Sequence, residues 1–83
     1  MGISMERAAM RGKLAEAENN LAVLRLQILG LCQSIRQSLN TALTYVEDLE
    51  IPQVAGQMAF LEDTWAHYQT TRIAIERLKK ELA

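Results

Sequence analysis

Asp63, His67 and Thr71 are spaced by four along this 83-residue chain. A carboxylate, an imidazole and a hydroxyl form a proton relay when they converge on one reacting atom. On a straight helix a spacing of four sets them in a row, one turn apart, and a row does not converge. No oxyanion site or substrate cleft accompanies them, so no catalytic residue is assigned and the chain is expected not to be an enzyme. His67 is the only histidine and has no Cys nearby, which makes it a poor metal ligand; no metal and no cofactor is expected. Cys32, the only cysteine, excludes an intrachain disulfide. Set among Leu29, Leu31 and Ile35, it reads as a small buried hydrophobe, with an intermolecular bridge near a twofold axis as the alternative.

The region around His67 carries a different signal. At 100° per residue, Phe60, Thr64, His67, Thr71, Ala74 and Leu78 form one stripe free of formal charge, while Glu62, Asp63, Arg72, Glu76, Arg77 and Lys80 collect elsewhere. An aromatic anchor with adaptable polar neighbours has the composition of a protein interface, and the stripe is the expected protein-binding face. The same stripe could also be a second core face inside a bundle, since periodicity does not say which apolar face meets self and which meets another protein. If a contact buries His67, protonation opposes association, and Asp63 one turn earlier works against that effect. Binding is then expected to weaken between about pH 7.5 and 5.5.

The elements that position this stripe are two helices. In the first, apolar residues recur at spacings of four and three through Met10, Leu14, Ala17, Leu21, Leu24, Ile28, Leu31 and Ile35, then Ser38, Ala42 and Tyr45. This is a heptad repeat, with Leu14, Leu21, Ile28, Ile35 and Ala42 at a and the others at d, and its seam must meet another helix. Val23, Leu26 and Leu29 lie outside the seam, which suits a bundle of three or more helices. Gly12 and Gly30 fall inside the pattern, each costing about 1 kcal/mol relative to Ala. Pro52 suits the first turn of a second helix. There Val54, Met58, Leu61, Trp65, Tyr68, Ile75 and Leu82 repeat the four-three spacing, with Arg72 and Lys79 at seam positions of the last third. Either the seam rotates there toward Thr71, Ile75, Leu78 and Leu82, or the long basic stems lie along apolar surface.

These patterns predict a single all-α domain over 1–83, an antiparallel coiled-coil-like hairpin with helix 1 about 5–47, a turn about 48–51 and helix 2 about 52–82. Folding it at about Glu50 sets Met58 opposite Ala42, Leu61 opposite Leu39, Trp65 opposite Ile35 and Tyr68 opposite Leu31 or Cys32. Helix 1 then outruns helix 2 by about 20 to 25 Å at a rise of 1.5 Å per residue, leaving Met5 to about Ala17 without a partner. The uncovered apolar surface predicts a homodimer forming a four-helix bundle, with Met10, Leu14, Leu21, Leu24, Ile28, Leu31, Ile35, Trp65 and Tyr68 as its seam.

Composition agrees with helices packed through Leu, Ile and Ala: 49% of residues are hydrophobic and only 5% aromatic. The net charge of −1 argues against nucleic acid or an anionic membrane as partner. Arg7, Arg11 and Lys13 do cluster, but Glu6, Glu16 and Glu18 dilute them. The longest apolar patch, Leu21 to Cys32, is interrupted by Arg25 and Gln27 and is too short to span a membrane. The N-terminus lacks the basic-then-apolar order of a secretory signal, so a cytoplasmic protein is expected.

Three runs, Met10-Arg-Gly-Lys-Leu-Ala-Glu-Ala-Glu-Asn-Asn-Leu21, Val46-Glu-Asp-Leu-Glu-Ile-Pro-Gln-Val-Ala-Gly-Gln-Met58 and Ile75-Glu-Arg-Leu-Lys-Lys-Glu-Leu82, resemble small uncharacterised helical-hairpin proteins of bacteria and their Mu-like prophages. The resemblance implies a hairpin scaffold. Between the runs, Ala59-Phe60 and Thr64-Trp65-Ala66-His67-Tyr68-Gln69-Thr70-Thr71 depart from the Glu- and Ala-rich surface of such a helix. That departure resembles an interface rebuilt on a borrowed scaffold, as in computationally designed binders. The function expected is a non-enzymatic protein-binding module offering Phe60 to Leu78 to a protein partner. A structural or assembly protein whose apolar faces serve only self-contact is the competing expectation.

Overall fold

The computed structural model describes the backbone of residues 2–83 and the side chains of residues 5–83. Helix α1 spans Gly2–Ser38 and helix α2 spans Ile51–Leu82, with a single 3-10 turn at Val46–Asp48 between them. The chain is 87% helical, against about a third in an ordinary globular protein, and no strand occurs among the described residues. The two helices pack side by side as an antiparallel hairpin 67 Å long and 17 × 15 Å across.

Helix α1 begins three residues earlier than expected and ends nine residues earlier, at Ser38 rather than about residue 47. The stop lies in Ser38-Leu39-Asn40-Thr41, where short polar side chains compete with the helix for backbone hydrogen bonds. Asn40 wins that competition. Its Oδ1 accepts the Ala42 amide at 3.1 Å, and its carbonyl accepts the amides of Leu43 and Thr44 at 3.2 and 3.1 Å. The connection therefore runs over residues 39–50 instead of 48–51. Helix α2 starts almost where Pro52 predicted it, with Ile51 as its first residue, Pro52 as its second and Glu50 as its N-cap.

This early stop resets the register. The Gln57 side-chain amide donates to the Ser34 hydroxyl at 2.9 Å. Counting from that bond at equal rise puts Ile35 within one residue of the level of Gln57, and likewise Leu31 with Leu61, Leu24 with Tyr68, Leu14 with Leu78 and Met10 with Leu82. The pairings of Met58 with Ala42 and of Trp65 with Ile35 are not made. The long overhang is not made either: Met10, Leu14 and Ala17 are half-buried beneath the C-terminal end of α2, and α1 projects past it by about seven residues, roughly 10 Å.

Every a and d position of α1 from Met10 to Ser38 is buried or half-buried, as the heptads require. On α2 the inward positions are Val54, Gln57, Leu61, Thr64, Tyr68, Thr71, Ile75, Leu78 and Leu82. The seam thus follows Thr71, Ile75, Leu78 and Leu82 in its last third, and it keeps the same line through the first two thirds. Met58 and Trp65 stand one position outside it. Arg72 and Lys79 continue the column of Met58 and Trp65, so a seam along that column would have buried two cations. The inner column instead offers threonines whose hydroxyls are already satisfied, Thr64 donating to the Phe60 carbonyl at 2.8 Å and Thr71 to the His67 carbonyl at 2.9 Å. Two helices make a thin core. Leu24, Ile35, Val54, Ile75 and Thr64 are buried, yet no side chain among the described residues is completely enclosed.

Candidate functional site

A hairpin has two broad faces, one on each side of the seam, and the helical periodicity assigns residues to them. On one face stand Arg25, Leu29, Cys32 and Arg36 of α1 and Leu39 just past its end, with Met58, Glu62 and Trp65 of α2. Along it runs an open groove lined in one stretch by Ile28, Cys32, Met58, Leu61, Glu62 and Trp65, continued by Arg25, Leu29 and Tyr68. We call this the Trp65 face. On the opposite face, the column just outside the seam carries Lys13, Asn20, Gln27 and Ser34 of α1 with Gln53, Phe60, His67 and Ala74 of α2. This is the Phe60 face, and the bond between Gln57 and Ser34 closes the seam on that side.

The stripe read from the sequence is divided by the seam. Thr64, only 7% exposed, turns inward with Thr71 and Leu78, while Phe60, His67 and Ala74 remain exposed. Thr71 also separates from Asp63 and His67, so the row of catalytic residue types does not share one side of the helix. Among the described residues no cluster of three metal-ligating side chains occurs. Of the residues expected to form the oligomer seam, Met10, Leu14, Leu21, Leu24, Ile28, Leu31, Ile35 and Tyr68 face the other helix of the hairpin. Trp65 alone among them points outward, 55% exposed.

Sequence reasoning missed the connection. Leu39, Leu43, Tyr45, Val46 and Ile51, at the closed end of the hairpin, are all exposed, Leu43 to 85%. The spacing of the first four imitates a longer first helix, with Tyr45 in its seam and Leu39, Leu43 and Val46 beside it. The groove carries few polar atoms and no cradle of convergent donors, so it suits an apolar side chain of another helix better than a small polar substrate.

Fold and faces together define an all-α helical hairpin with exposed large apolar side chains on both broad faces. Compared with known proteins, the chain matches no protein-family model, no curated protein and no solved structure. No helix among the described residues is long and apolar enough to cross a membrane.

Proposed function

We propose that this chain is a non-enzymatic protein-binding module that acts by burying the outer faces of its hairpin against other proteins. The observation that carries this reading is the side chain of Phe60, 58% exposed on a regular helix and unused by the hairpin's own seam. His67 and Ala74 extend the same uncharged edge for four turns of α2, and Thr64, Thr71 and Leu78 beneath them hold that edge against α1. Rigid backing of this kind favours binding, because little order remains to be gained on association. The segment from Ala59 to Thr71 then acts as an interface carried by a hairpin scaffold. Phe60→Asp tests the reading: the variant should keep its helicity and its oligomer while losing capture of the partner in a pull-down. Loss of folding or of the oligomer would instead favour self-contact through Phe60.

A second reading, a structural or assembly protein that uses its apolar surface only for copies of itself, is favoured by the Trp65 face. The two readings are compatible when they use different faces.

A further inference from the structure

We infer that the Trp65 face is where a second copy of this chain docks, in an antiparallel twofold dimer whose axis crosses the hairpin at the level of Cys32 and Met58. The inference deepens the association reading and depends on it. Large apolar side chains on this face are confined to the half nearest the connection, from Leu39 and Ile51 to Leu29 and Trp65. Beyond the level of Arg25 the same face carries Arg11, Glu18, Arg72, Glu76 and Lys79. A twofold contact brings one patch onto itself, so the axis must pass through the middle of the apolar half.

Two twofold arrangements lay the faces together, and charge separates them. If the hairpins ran parallel, the charged halves would meet, bringing the group of Arg11, Arg25, Arg72 and Lys79 of one copy against the same group of the other with only Glu18 and Glu76 to offset them, a net positive half against a net positive half. Antiparallel packing overlaps only the halves nearest the connection, where Arg36 and Glu62 are one cation and one anion per copy, and leaves the other halves in water. Trp65 of one copy then lies over Ile51 of the other, and the exposed Leu43, Tyr45 and Val46 of each connection reach the partner's surface beyond it.

The size also fits. From the level of Cys32 to the closed tip is about 20 Å, made of six residues of helix at 1.5 Å each and the connection beyond. The overlap is therefore about 40 Å long on a ribbon 17 Å wide. That area is close to the roughly 800 Å² per partner of a standard stable interface.

Cys32, the only thiol, lies beside the axis and reports on the geometry. The experiment treats the full chain with a short bis-maleimide, alongside Arg25→Cys in a Cys32→Ser background, and determines the mass of both untreated proteins by sedimentation equilibrium. The inferred dimer has twice the chain mass of 9.3 kDa and cross-links through Cys32. Residue 25 should fail to cross-link, since antiparallel packing separates its two copies by about 20 Å along the helices. A dimer that cross-links at position 25 and not through Cys32 would overturn the antiparallel geometry while leaving self-association intact. A monomer would overturn both, and capture of a different protein on this face with no dimer would reassign its occupant.

Discussion

Trp65 and Phe60 are exposed to nearly the same degree, 55% and 58%, and the difference between them lies in their neighbours. Trp65 stands in a groove with Met58, Leu61 and Ile28, continuous with Leu29 and Cys32. Phe60 stands in a column with Gln53 and His67, facing the polar column of Gln27 and Ser34 on α1. The first arrangement offers a broad apolar surface that water wets poorly. The second offers one aromatic anchor in a polar rim, the pattern of a transient contact that must also be stable when open. Two sides of one helix therefore differ in chemistry, although a measure of exposed hydrophobic residues would score them alike.

The largest effect that would break this comparison is expected from Trp65→Glu. A carboxylate placed in the apolar groove should weaken self-association by roughly thirtyfold or more, the scale of an interface anchor worth about 2 kcal/mol. Helicity should persist at concentrations where the hairpin is populated, because Trp65 lies outside the seam; sedimentation and circular dichroism measured together check both halves. Phe60→Asp should do the opposite, lowering affinity for the captured partner by about tenfold or more with the oligomer unchanged. Identical behaviour of the two variants would dissolve the distinction between the faces.

A smaller effect sharpens the assignment of the backs of the helices. A Cβ added at Gly30 meets nothing within 4 Å, so the close backbone approach that glycine allows is not used there. Gly30→Ala should stabilise the protein by about 0.5 to 1 kcal/mol, read as a higher midpoint in thermal or urea unfolding. Destabilisation would mean that another surface presses on that side of α1. The smallest effect concerns His67. Exposed at the edge of the Phe60 face, it should lower partner capture only about two- to threefold when changed to Gln, with self-association unchanged. Affinities of the parent and His67→Gln decide it.

Much of the fold was legible because α1 offers one solution. Its a and d columns are both apolar from Met10 to Ile35, and all of these positions face α2. On α2 the column of Val54, Leu61, Tyr68 and Ile75 is flanked on both sides, by Gln57, Thr64, Thr71 and Leu78 and by Met58, Trp65, Arg72 and Lys79. Apolarity favours the second flank in the first half of the helix and the first flank in the last third. A straight hairpin must choose one, and satisfied threonines are cheaper to bury than cations. The end of α1 was hidden for another reason: Leu39, Leu43 and Tyr45 continue an apolar rhythm past Asn40, and periodicity does not register a side chain that captures the backbone. The candidate site was legible as a set of residue types, Phe60 and His67 among them. Its division between seam and surface followed from the register, which a bond between Ser34 and Gln57 and a stop at Asn40 determine.

The stop at Asn40 also bears on which heptad alignment the hairpin adopts. Sliding α2 along α1 by one heptad toward the connection would keep every a and d column inward, bringing Tyr45 opposite Val54 and Ala42 opposite Gln57. That longer stem would require residues 39–46 to become helical and would uncover Met10 and Leu14, which the observed stem covers. Asn40 acts as a detent that holds the shorter stem. Asn40→Leu would remove the captured turn, favour the helix through residue 46 and shift population toward the slipped alignment, with a rise in helicity and new exchange protection of the residue 39–46 amides as its signature.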